Sequence, residues 1–328
     1  MSAAGLISLA AARPVGEVRV DIDLDADKAP VVAVDIRVDF EDTQGGPMPG
    51  STTASAEVEA LFLYPVKSCA GVRVSELRFD ADGRIEGDRE WIVVDARGEL
   101  CWLGSHPKLA LLQPKLLPDA LLLRGGDLQP LCLAREAAGE ATRASIWDPE
   151  TRRMVAHGAR DAGAMAAQFL RELTGEELRL VKLDREALLA TAPNPLHAVS
   201  SASVEELNAH LVAQGHARVD ARRLRPNLVL GGGREPMAPF LEEYLLQLVW
   251  PDAAGTWRRL VRRAACERCV VPNVDPDSGE VQPGIDAAIA ELSAQRWPGQ
   301  ASRFGIYLQP PQGGTLGEGT AMTMELDF

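Results

Sequence analysis

Five arginines and two cysteines crowd one short stretch of a chain that is otherwise acidic. In Trp257-Arg-Arg-Leu-Val-Arg-Arg-Ala-Ala-Cys-Glu-Arg-Cys269 the cations are Arg258, Arg259, Arg262, Arg263 and Arg268, and the thiols are Cys266 and Cys269. A thiol beside guanidinium groups is expected to ionise more readily, and the thiolate is the form that binds metal or attacks. On a strand, Arg259 and Val261 share one face while Arg258, Leu260 and Arg262 share the other, so some of these cations are expected to face a common site with the cysteines. A C-x-x-C pair admits several chemistries. A structural zinc site takes four ligands, yet His106, His157, His197, His210 and His216 are scattered and no second C-x-x-C exists. A thioredoxin-like redox pair expects a βαβ setting, which this region lacks. A single soft thiolate on a metal whose other ligands belong to a cofactor fits the missing ligands best, although composition names no metal. Two small buried cysteines without a chemical role are the remaining reading. The next segment, Val274-Asp-Pro-Asp-Ser-Gly279, has the residues of a tight turn and is expected to shape the loop that presents Cys269.

At 328 residues the chain suffices for two modest domains or one large β-rich unit. Its 46% hydrophobic and 25% charged residues are those of an ordinary folded protein. The formal net charge of -13 opposes broad contact with nucleic acid, whose affinity comes from neutralising phosphates, but leaves room for a small basic pocket. No stretch reaches the roughly 20 apolar residues that span a bilayer. Met1–Pro14 is apolar without a preceding Lys or Arg, a poor signal peptide, and the acidic run after it speaks against a transit peptide. A cytoplasmic protein without membrane contact is expected. The five cysteines, an odd number without a secretory signal, do not suggest a disulfide framework.

The elements that must position the thiols are mainly short strands. Residues 17–42 alternate apolar and polar as a hairpin, and Gly45–Ser55 reads as a linker. Strands are expected at Leu61–Val66, Trp91–Val94, Leu100–Trp102, Leu121–Leu123, Leu131–Leu133, Asn227–Leu230, Leu245–Trp250, Trp257–Val261, Phe304–Leu308 and Met322–Leu326. One helix is expected near Asp161–Leu173, and a second from Ser203, where Ser203-Val-Glu-Glu206 has the form of a capping box. The predicted class is mostly β with a few covering helices (α+β), in two β-rich domains: an N-terminal extension over 1–56, a first domain over 57–180 and a second over 185–327.

Four motifs follow one another in order: Leu63-Tyr-Pro-Val-Lys-Ser-Cys-Ala-Gly71, Gly87-Asp-Arg-Glu-Trp91, Arg225-Pro-Asn227 and Cys266-Glu-Arg-Cys-Val-Val-Pro-Asn-Val-Asp-Pro-Asp-Ser-Gly279. In this the chain resembles MOSC proteins that carry an N-terminal MOSC β-barrel domain, like the mitochondrial amidoxime-reducing component and its bacterial relatives. The resemblance covers roughly residues 57–327. It implies a molybdenum–molybdopterin cofactor with Cys269 as the protein ligand on the metal. It also implies that Lys67, Ser68, Arg89, Arg225 and Asn227 hold the pterin and its phosphate, with Tyr307 nearby. Arginine's bidentate fork suits a phosphate, which agrees with that assignment.

The chain departs from the pattern at three places. Glu267 replaces a small polar residue of some relatives, Pro272 and Asn273 replace two threonines of the animal proteins, and the match around Asn194–Ser200 is loose, with Asn194 a weak candidate. No C-x₄-C-x₂-C run follows the MOSC segment, so the resemblance implies electrons from a separate flavoprotein or iron–sulfur protein. The implied activity is reduction of a small N-hydroxylated substrate, with Tyr307 or Glu267 in contact with it. The alternative is a carrier, handing on the cofactor or a sulfur held as a Cys269 persulfide, as MOSC segments of cofactor sulfurases suggest. No desulfurase domain is present to hold pyridoxal phosphate, and none is expected.

Overall fold

Seven strands close into a barrel because the strand Thr52–Leu63 pairs on both of its edges, with Ala321–Leu326 and with Leu228–Gly231. Around the barrel the others run Leu196–Ser200, Arg303–Gln309, Trp257–Glu267 and Leu245–Pro251, all antiparallel to their neighbours except the pair Leu196–Ser200 and Leu228–Gly231. This is a computed structural model, and it describes residues 52–135, 139–148, 151–191 and 196–327. The hairpin read at 17–42 and Asn194 lie outside the described residues. Thr52–Ser55, read as the end of a linker, belongs to the first strand instead. Leu61, Leu228, Leu260, Ile306, Leu308 and Met324 fill the barrel interior, the inward set of a period-2 alternation. Helices Ser201–Ala213 and Ile285–Arg296 bury Leu207, Leu211, Ile289 and Leu292 against its outer wall.

Residues between the first strand and the rest of the barrel build two smaller sheets. One orders Trp91–Val94, Arg179–Leu183, Arg153–Asp161 and Ala141–Asp148, and the other Gln113–Leu116, Ala120–Arg124 and Leu131–Ala134. Helix Ala164–Thr174 packs Phe169 and Leu170 into their common core with Trp91, Leu121 and Leu123. The α+β class expected from the sequence is the class observed: strands dominate, and four α-helices cover them among the described residues. No helix among these residues is long and apolar enough to cross a membrane.

Two local expectations are corrected. Ser203 does not cap its helix; Ser200 does, accepting from the Ser203 amide at 3.0 Å. The helix begins at Ser201, which places Ser203 inside its first turn; the buried Glu242 takes the hydroxyls of Ser200 and Ser203 at 2.8 and 2.9 Å, while Glu206 turns outward to Arg296 at 3.0 Å. The strand predicted over Trp257–Val261 runs on to Glu267, with bulges between Arg262 and Ala264 and between Ala265 and Glu267. A bulge re-aims the side chains that follow it.

Candidate functional site

The motif residues converge on one cleft of about 380 Å³, lined by Lys67, Ser68, Arg89, Arg225, Asn227, Cys269 and Tyr307 among others. They arrive from widely separated segments. The turn after Tyr64 brings Lys67, whose amide donates to the Trp91 carbonyl at 2.8 Å. Arg89 follows in the next loop, its amide on the Tyr64 carbonyl at 2.7 Å. Arg225 closes the short 3-10 helix Ala221–Leu224. Ser68, Arg89 and Arg225 have φ of 70°, 54° and 57°, and only two other non-glycine residues described have positive φ. Left-handed backbone costs a residue with a Cβ about 1–2 kcal/mol, and such strain gathers where function fixes the chain.

A hydrogen-bonded hub holds the cations. Asp88 is buried and accepts from the Tyr64 amide at 2.8 Å and from Asn227 Nδ2 at 3.1 Å, while its other oxygen pairs with Arg89. Asn227 Oδ1 accepts in turn from Arg89 Nη1 at 3.1 Å and the His197 amide at 3.3 Å, and its Nδ2 also reaches the Phe62 carbonyl. The Asn227 amide is thus engaged with protein on both ends and positions Arg89. The Tyr64 ring lies under both guanidinium groups, 4.8 Å from Arg89 and 4.5 Å from Arg225. Burial, against the pull of those two cations, lifts the Tyr64 phenol to about 12.

Lys67 pairs with no carboxylate among the described residues, and burial, then Arg89 and Arg225, pull its ammonium down to about 8. Arg225 Nη2 and Arg268 Nε are buried without a hydrogen-bond partner among these residues. Buried donors are nearly always satisfied. Convergent cations with spare donors suit an anionic ligand such as a phosphate, and the set fits the phosphate end of a pterin cofactor. Sulfate keeps its charge near neutrality, so its affinity for the cleft is expected to fall as pH rises through about 8, where Lys67 loses its proton. Lys67→Arg is expected to remove that dependence in a calorimetric titration on both sides of that value; an unchanged pH profile would take Lys67 out of the site.

Cys269 is exposed on the cleft and Cys266 is buried behind it. The acidic thiol is Cys266. Burial pushes it up, but His197, Arg268 and the Tyr307 hydroxyl overcome this and hold it well below the usual thiol range. Arg268 Nη1 donates to its sulfur at 3.1 Å. Of the five arginines, only Arg268 lines the cleft. Arg268 thus meets the expectation that some of these cations face the cysteines, whereas Arg258 pairs with Asp252 at the far end of the strand. The turn after Cys269 forms as expected, with Asp275 Oδ1 accepting from the Asp277 and Ser278 amides at 2.9 Å and Gly279 at φ 69°. Arg223 anchors it through Asp275 at 2.7 Å.

His197, Tyr64 and Asp88 escape sequence reasoning as site residues. His197 carries no motif; its Nδ1 faces the Arg225 carbonyl at 3.4 Å and its ring lies 5.5 Å from that of Tyr307. Tyr64 and Asp88 sit inside quoted motifs, which was the signal available for them.

Comparison with known proteins gives this geometry its class. Residues 55–177 match the MOSC N-terminal beta barrel domain and residues 186–323 the MOSC domain. The chain is a two-domain MOSC protein, with both modules present in that order. Among its relatives is mitochondrial amidoxime-reducing component 1 of Mus musculus, 26% identical over 293 residues and covering 79% of each chain. The Homo sapiens protein of the same name is 28% identical over 243 residues, covering 68% of this chain and 67% of its own. Molybdenum cofactor sulfurase of Solanum lycopersicum is 23% identical over 302 residues, covering 80% of this chain but 34% of its own.

Proposed function

We propose that the cleft binds a molybdenum–molybdopterin cofactor with Cys269 on the metal, and that the chain reduces N-hydroxylated compounds with electrons from a separate redox protein. The observation that carries this reading is one exposed thiol sharing a cleft with Lys67, Arg89 and Arg225, cations from three distant segments. Among the described residues no three His, Cys, Asp or Glu side chains converge on a metal position. Cys269 therefore needs ligands that the pterin supplies. When bound, that group provides two-electron chemistry at a position open to substrate.

The chain's own residues do the rest. Lys67, Ser68, Arg89 and Arg225 hold the phosphate and pterin; Asp88, Asn227 and Tyr64 fix the direction of the two guanidinium groups. Burial and the neighbouring Cys266 push the Tyr307 phenol above its usual range, so it stays protonated, its hydroxyl turned to the Cys266 sulfur in the wall of the cleft. Glu267 is exposed on the same wall, where it meets incoming substrate.

The test is protein made in a host that synthesises the cofactor, analysed for molybdenum and pterin and then given benzamidoxime with a supplied electron donor. About one molybdenum per chain and conversion to the amidine are expected. Absence of metal removes the cofactor assignment. Metal without N–O reduction favours the second reading, a carrier of cofactor or sulfur, which the exposure of Cys269 and the likeness to the sulfurase support.

A further inference from the structure

A second cavity, of about 330 Å³, adjoins the cleft and shares Leu103, Arg225 and Val271 with it as wall residues. Val72, Ala110, Val274 and Pro276 give it an apolar lining. Its charge is one-sided: Arg73, Lys115, Arg124, Arg222, Arg223 and Arg225 line it, against the single carboxylate of Asp277. Three of these cations have partners, Arg73 with Glu318, Arg222 with Asp220 and Asp277, and Arg223 with Asp275. Lys115 and Arg124 pair with no carboxylate among the described residues. In a chain of net charge -13 such a concentration is a local field for anions.

The arrangement is set by strand register. Gln113 lies opposite Arg124, and Lys115 is two residues further along, so Gln113, Lys115 and Arg124 share one face of the hairpin while Pro114 and Leu123 turn into the core. On the facing wall the buried hydroxyl of Tyr64, a residue 1% exposed, lacks a partner among the described residues. Gly71 lies directly over Tyr64; a Cβ there would stand 2.5 Å from the ring. Two unpaired cations and an unused phenol match the three oxygens of a phosphoryl group. The apolar lining calls for a body attached to it. The volume lies at the lower end of small-molecule pockets, about 300–1,000 Å³, so that body is small.

We propose that this second cavity binds a small phosphomonoester with an apolar or aromatic body, separate from the group held in the neighbouring cleft. The proposal does not depend on the reading of that cleft. The experiment titrates phenyl phosphate into protein purified from a cofactor-competent host, with inorganic phosphate and phenol as comparison probes and molybdenum content measured alongside. One saturable site per chain is expected, with inorganic phosphate and phenol each at least tenfold weaker. Lys115→Glu with Arg124→Glu, both at exposed positions, is expected to weaken phenyl phosphate at least tenfold with molybdenum content and melting temperature unchanged. Should the double reversal fail to fold, Lys115→Gln with Arg124→Gln is expected to show the same direction. Equal binding of inorganic phosphate, unchanged affinity in the folded double variant, or loss of binding in Lys67→Ala instead would each overturn the proposal. A protein that holds no molybdenum yet binds phenyl phosphate as described keeps this inference and loses only the proposed function.

Discussion

Cys269→Ala is expected to purify folded but with molybdenum reduced by more than about tenfold, since even residues that merely support a metal ligand are worth about 10–100-fold in affinity. Because Cys269 is exposed, its truncation is expected to shift stability by no more than about 0.5 kcal/mol. Cys266→Ala is expected to behave in the opposite way. It deletes a buried sulfur and strips Arg268 Nη1 of its acceptor, a loss of about 1–3 kcal/mol, while the metal content stays high. Metal analysis and thermal melts of the two variants separate the cysteines cleanly. The reverse pattern, metal lost in Cys266→Ala and kept in Cys269→Ala, would move the ligand to the buried thiol and undo the proposed site.

The contrast between the two thiols also marks where sequence reasoning stops. Their spacing from five arginines suggested an acidified thiol without choosing between the two, because ionisation follows three-dimensional neighbours. Arg268 reaches the Cys266 sulfur, and His197, some seventy positions upstream, completes its surroundings with Tyr307. Some barrel strands were legible because apolar residues alternate along them, as Phe304, Ile306 and Leu308 do in Arg303–Gln309. Helix Ile285–Arg296 was missed: apolar Ile289 and Leu292 are interleaved with alanines, and its first amides are capped from a distance by Asn273 Oδ1 at 3.1 and 3.0 Å. The left-handed backbone at Ser68, Arg89 and Arg225 left no trace either, because none of the three is glycine. The site residues themselves were recognisable through motifs, whereas their energetic roles depend on contacts that only folding creates.

Asp88 shows what those contacts are worth. It is 4% exposed, and one carboxylate serves a backbone amide, a side-chain amide and a guanidinium from three segments of the chain. Asp88→Ala leaves the Tyr64 amide and Asn227 Nδ2 short of an acceptor and Arg89 without its counter-charge. Breaking a buried ion pair from one side costs about 3–5 kcal/mol, so a melting temperature lowered by many degrees is expected. Asp88→Asn keeps an acceptor oxygen for Tyr64 and Asn227 and removes only the charge. It is expected to fold with a smaller loss of stability and yet bind sulfate differently from wild type, because Arg89 is released from its pair and gains freedom. If Arg89 is a cation held ready for an anion by Asp88, the asparagine variant separates folding from binding. Identical melts and identical sulfate affinities for wild type and Asp88→Asn would mean that the short-range pairing of Asp88 with Arg89 does not position the site.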